Sequence, residues 1–139
     1  MPDAAIYRRE GETFAPSEWA GSPWSAELQH GGPVNALFAR MADEAAAEAG
    51  LQVARLTVDL FRPVPMEPLA CSWRFVRRGR RIANVEAELR RVGAPAFSAG
   101  SDPDSTSAPI SRASAVLLLR REDLESSIEA EPEAPPVRS

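Results

Sequence analysis

Between residues 33 and 49 the chain carries one long apolar stripe at helical spacing, and the apolar patterns after it run at strand spacing. That change of period constrains the fold more than any other feature. At about 100° per residue, Val34, Leu37, Phe38, Met41 and Ala45 fall within about 60° of one direction, and Arg40, Asp43 and Ala47 lie on the back. His30-Gly31-Gly32 interrupts the chain before the stripe, Pro33 suits a first helical position, and Gly50 stops the run. The spacing predicts a helix of about 17 residues, roughly 25 Å long. A sheet must cover its apolar side.

The strands supply that sheet. Residues 53–61 alternate, with Leu56, Val58 and Leu60 on one face and Arg55, Thr57 and Asp59 on the other. Arg62-Pro63-Val64-Pro65-Met66-Glu67-Pro68 ends this strand, because proline cannot donate to a ladder. Residues 69–77 put Leu69, Cys71, Trp73 and Phe75 on one face, and residues 81–92 turn Ala83, Val85, Ala87 and Leu89 inward. Between them Arg78-Gly79-Arg80 reads as a hairpin turn in which Gly79 is free to take positive φ. Residues 111–121 form a last strand around Val116, Leu117, Leu118 and Leu119, and residues 5–14 hold a short strand that turns at Gly11.

The order β–α–β–β–β–β, one helix followed by an antiparallel meander, predicts an α+β protein. Its economical arrangement is the hotdog fold, an antiparallel β-sheet wrapped around one long central helix; a cystatin-like two-layer sandwich is the alternative. Residues 1–121 form a single domain. Residues 93–110, rich in Gly, Ser, Asp and Pro, read as a mobile loop, and residues 122–139 as a disordered, acidic, proline-containing tail or linker.

Composition excludes several classes. The chain has 139 residues, enough for one domain with a sizeable core. No apolar run approaches the ~20 residues of a transmembrane helix, and the N-terminus has no signal-peptide core. The single cysteine, Cys71, can form no intrachain disulfide, which predicts a reducing, cytoplasmic setting. The single histidine, His30, cannot build a multi-histidine metal site, so no metal and no cofactor are expected. All 16 basic residues are arginine, and the net charge is −4. Residues 122–139 carry six acids and one arginine, while residues 50–92 hold nine arginines against four acids. That local excess could meet a phosphate-bearing ligand but falls short of a nucleic-acid-binding composition.

Chemistry concentrates at the helix start. With Gly32 as N-cap, no side-chain oxygen accepts the first-turn amides, and the Val34 and Asn35 N–H groups point out along a positive dipole end. Gly31 and Gly32 let a ligand approach the backbone closely. This describes an oxyanion or anion site, though a plain turn with hydrated amides has the same sequence. His30, beside the glycines, is either a base for a nearby water or a structural residue bonded to a carbonyl. The turn residues Arg78 and Arg80 could pair with phosphates or form a solvated hairpin tip. Cys71 belongs to an apolar set and is expected to be inert.

Three segments resemble a known family: Ser22-Pro-Trp-Ser-Ala-Glu-Leu-Gln-His-Gly-Gly-Pro-Val-Asn-Ala-Leu-Phe-Ala-Arg, Arg55-Leu-Thr-Val-Asp-Leu-Phe-Arg-Pro-Val-Pro-Met, and Arg78-Gly-Arg-Arg. They are similar to the first unit of the acyl-CoA thioesterase-like tandem hotdog proteins related to acyl-CoA thioesterase II. The likeness runs from about residue 7 to residue 121, apart from residues 93–110. It implies hydrolysis or binding of fatty acyl-CoA or a related thioester, with the carbonyl held by amides of Gly32, Val34 or Asn35 and with Gly31 among the substrate-binding residues. It places Asn35 and His30 in the catalytic pocket and Arg78 and Arg80 toward the substrate. It further implies a homodimer or pairing with a second hotdog unit. Relatives of this family take their water-activating Asp, Thr/Ser and Gln from a second unit, which this sequence lacks. Single-hotdog thioesterases commonly place an acid nine residues after the histidine, where this chain has Ala39. A non-catalytic acyl-CoA or lipid-binding hotdog, or the structural half of a split enzyme, is therefore the alternative. A hotdog dehydratase is a weaker third reading, since no Asp and His are spaced to share the helix start.

Overall fold

The computed structural model describes residues 5–98 and 102–129, with side chains as far as residue 125. Its order is β1 (Tyr7–Glu10), β2 (Thr13–Pro16), a 3-10 turn (Glu18–Ala20), β3 (Gly21–Ser22), β4 (Ser25–Gln29), α1 (Gly31–Ala49), β5 (Gln52–Leu60), β6 (Leu69–Arg78), β7 (Ile82–Arg91), β8 (Ser111–Leu118) and α2 (Arg121–Glu129). Six strands form one antiparallel sheet in the order β1-β2-β6-β7-β8-β5, and β3 pairs with β4 in a separate two-stranded sheet. The sheet packs against α1, as the hotdog arrangement requires.

The stripe read from the sequence is the buried side of α1: Val34, Leu37, Phe38, Met41 and Ala45 are all buried, together with Ala42 and Ala46. The sheet meets them with Leu69 and Cys71 of β6, Ala83, Val85, Ala87 and Leu89 of β7, and Ala113, Ala115 and Leu117 of β8. Alanines on β7 and β8 let the helix lie close, and Phe38 and Met41 fill the space between. Burying a side chain such as Phe38 contributes roughly 2–3 kcal/mol. Gly50 ends the helix in the left-handed region (φ 69°), with its N–H on the carbonyls of Ala46 and Ala47.

Four expectations are corrected. The strands after α1 do not form one meander: β5 lies beside β8 at the sheet edge, and only β6, β7 and β8 run in succession. The proline segment after β5 is the reason, because it cannot turn back as a hairpin ladder. The helix begins at Gly31 rather than Pro33, with His30 and not Gly32 as its N-cap. Gly79 takes no positive φ; a Cβ there would lie 2.8 Å from the Ile82 carbonyl oxygen, so close packing of the turn selects glycine. The segment read as a disordered tail begins with helix α2, which carries Glu122 and Asp123 in its first turn, where the dipole favours acids. Residues 130–139 lie outside the described residues.

The segment after β7 is tied to the outer face of the sheet. Glu88, 3% exposed, accepts the Phe97 N–H at 2.7 Å and pairs with Arg112 at 2.9 Å. The Arg74 guanidinium lies 4.3 Å over the Phe97 ring. Farther along, Ala108 and Ile110 are buried. Next to Glu88, buried Arg90 donates to Ser72 and to the Ala94 carbonyl.

Candidate functional site

The head of α1 is held by three backbone contacts from two segments. The Gln29 N–H donates to the Val64 carbonyl at 2.7 Å, and the His30 N–H donates to the Ala20 carbonyl at 2.8 Å. The Met66 N–H donates to the Glu27 carbonyl at 2.9 Å. Residues 62–68 therefore do more than end a strand. Their carbonyls accept from the segment that leads into the helix, a role open to a stretch rich in proline.

The Gln29 side chain, 8% exposed, locks this junction from beneath. Its Nε2 donates to the Pro65 carbonyl at 2.8 Å, and its Oε1 accepts from the Tyr7 hydroxyl at 2.6 Å. Burial pushes the Tyr7 phenol above its ordinary pKa, and the nearby Cys71 acts in the same direction, so Tyr7 stays a neutral donor. Tyr7 and Gln29 were not legible as partners: they are 22 residues apart, and a glutamine at a strand end is ordinarily exposed.

His30 is exposed and caps the helix through Nδ1, which accepts the Gly32 N–H at 2.9 Å. A neutral imidazole accepting at Nδ1 carries its proton on Nε2. His30 therefore presents an N–H donor to solvent, and its accepting lone pair is already in use. The ring stacks on Trp24, with centroids 5.9 Å apart and planes 15° apart. Trp24 is 83% exposed, and Leu60, whose side chain comes up to Gly31, is 50% exposed.

The earlier helix start changes which amides are open. In an α-helix beginning at Gly31, the Val34 N–H bonds the His30 carbonyl and the Asn35 N–H bonds that of Gly31. The expectation that these two amides stand free is thus corrected, and Val34 is fully buried. The Gly32 N–H is held by His30, and Pro33 has none. Among the described residues the Gly31 N–H makes no hydrogen bond, and the exposed Asn35 side chain, one turn further on, makes none.

Ala39 follows Asn35 on the same flank. The acids of α1 lie beyond it: Glu44 is held by Arg9 and by Arg40 at 3.4 Å, and Glu48 pairs with Arg78 at 3.6 Å. Arg78 also donates to the Glu48 carbonyl at 3.2 Å and lies 4.8 Å over Phe75. It therefore sits at the far end of α1, about 25 Å from Gly31. Arg80 lies in the same turn, exposed. The structure brings His30, Gly31, Gly32 and Asn35 together; within the chain it does not bring Arg78 and Arg80 to them.

A helix head with one open amide, a ring N–H and a side-chain amide can bind a carbonyl oxygen or an anion. The family model for the acyl-CoA thioesterase N-terminal domain matches residues 20–102, which contain all of these groups. The chain belongs to this family. No curated protein matches it. Among solved structures it is similar to the phenylacetic acid degradation-related protein of Ralstonia eutropha (19% identity, 82% of this chain and 83% of that one, TM-score 0.55). It is also similar to a Streptococcus mutans protein bound to acetyl CoA (10%, 78% and 77%, TM-score 0.57). A Bacillus halodurans protein with CoA is similar as well (12%, 76% and 68%, TM-score 0.56). At these identities the likeness shows the shared hotdog fold. The family member's α1 carries no acid at residue 39, and among the described residues no carboxylate accepts a hydrogen bond from the open amide.

Proposed function

We propose that this chain binds fatty acyl-CoA or a related thioester, with the thioester carbonyl at the head of α1. The observation that carries this reading is the set of donors there: the Gly31 N–H, His30 Nε2–H and the Asn35 side chain, none of them bonded within the described chain. As charge develops on the carbonyl oxygen, those donors stabilise it. A stable imidazolium at His30 is not needed for that. The amide of Asn35 orients a water or the thioester but is no general base at neutral pH.

The group that activates water comes from a second hotdog unit. Strand β5 leaves one ladder edge open, and two copies pairing their sheets there would form a homodimer with sites at the interface. A cytoplasmic role in fatty acid metabolism accords with the buried, reduced Cys71. Ala39 and the arginine-paired Glu44 favour a second reading, in which the chain is a non-catalytic acyl-CoA binder or the structural half of a split enzyme.

One assay separates them: the purified chain with acyl-CoA of several lengths and a thiol-detecting reagent. Turnover above background is expected, and Asn35→Ala should lower kcat about tenfold or more. Tight acyl-CoA binding without turnover would establish the binding role instead.

A further inference from the structure

Beyond the helix head, an open cleft of about 710 Å³ lies between the exit of β5 and the segment leading into β8. Its volume is that of a ligand site. Phe61, Arg62, Pro103, Asp104, Pro109 and Arg112 are among the residues that line it. Phe61 is 53% exposed, so one face of its ring is open to a ligand. Among the described residues Arg62 has no ion pair or hydrogen bond. Arg112 directs Nε and one terminal nitrogen at a single oxygen of Glu88, which leaves its other terminal nitrogen free for an anion.

We infer that this cleft holds the phosphorylated nucleotide end of the thioester's carrier, with Arg62 and Arg112 on phosphate and Phe61 against the base. The inference rests on the thioester reading above and locates its other end. The geometry joins the two places. A Cβ at Gly31 would touch Leu60 Cδ1 at 3.7 Å, and Arg62 follows two residues later, past the end of β5 and at most about 7 Å along the chain. The pantetheine arm of coenzyme A is long enough to cover that step. A guanidinium recognises phosphate through paired N–H donors, and an exposed ring offers a stacking face to an adenine. Glu88 positions this lining, since the same buried carboxylate holds Arg112 and the Phe97 backbone. Asp104 is the opposing charge in the cleft, so its removal should strengthen binding.

The test is calorimetric titration of the full chain with adenosine 3′,5′-bisphosphate, with ADP and inorganic pyrophosphate as comparison ligands. The bisphosphate should bind, less tightly at high salt. Arg62→Ala should weaken it at least tenfold, and Asp104→Asn should tighten it several-fold. In turnover or binding assays Arg62→Ala should raise KM or Kd for acyl-CoA and leave acyl-pantetheine unchanged. No binding of the bisphosphate, equal binding of pyrophosphate, or indifference to Arg62→Ala would each overturn the inference. These outcomes are separable from failure of the thioester reading. That failure would appear as no binding of acyl-pantetheine by a chain that still binds the bisphosphate.

Discussion

At the scale of single residues, His30 is the decisive side chain. It closes the first turn of α1 through Nδ1 and turns its Nε2–H outward. Two variants separate these roles. His30→Ala should destabilise the fold by about 1 kcal/mol, the ordinary cost of a lost N-cap. His30→Asn, a good cap, should restore stability in chemical denaturation without restoring the ring N–H. If His30 serves the thioester, both variants lose turnover or binding; if it is only a cap, His30→Asn keeps them. Cys71 is the contrasting residue. Burial pushes its thiol up to about 12, with Arg90 and Arg9 opposing the shift, so it is uncharged near neutrality. A thiol reagent should label Cys71 only as the chain unfolds, which also keeps it silent in the turnover assay.

At the scale of elements, α1 is fastened to the sheet edge through Glu44. The hydrogen bond from Arg9 holds the Glu44 carboxyl below the ordinary carboxylate value, with burial opposing and Arg40 assisting. A depressed pKa stabilises the folded state above the unfolded-state value, and the contribution disappears as the pH falls through the folded-state value. Glu44→Gln should therefore cost stability near neutrality and little at about pH 3. Both partners are partly exposed, with side-chain accessibilities of 41% for Arg9 and 27% for Glu44, so the difference should stay near 1 kcal/mol or below. Urea titrations of both proteins across that range measure it, and a gap that widened on acidification would contradict the assignment.

At the scale of the molecule, the open edge of β5 and the missing acid at residue 39 point the same way. On the proposed reading, one hotdog unit presents donors for a thioester and the remaining machinery comes from a second unit. Sedimentation or light scattering should give twice the 15.0 kDa chain mass. A monomer that still turns over acyl-CoA would remove the requirement for a partner.

The sequence by itself determined the long helix, its buried stripe, the inward faces of β6 and β7, and the family, because periodicity and local motifs act over neighbouring residues. It also located His30, Gly31, Gly32 and Asn35 at one helix head. Tertiary structure decided the rest. The pairing of β5 with β8, the Tyr7–Gln29–Pro65 lock and the cleft of Phe61, Arg62 and Arg112 join residues tens of positions apart. Which amide stays open at the helix head was decided there too: His30 could reach forward to take the Gly32 N–H, leaving that of Gly31, only once Ala20 and Val64 had fixed the backbone before it. Such contacts depend on where the chain returns in space, which no local pattern encodes.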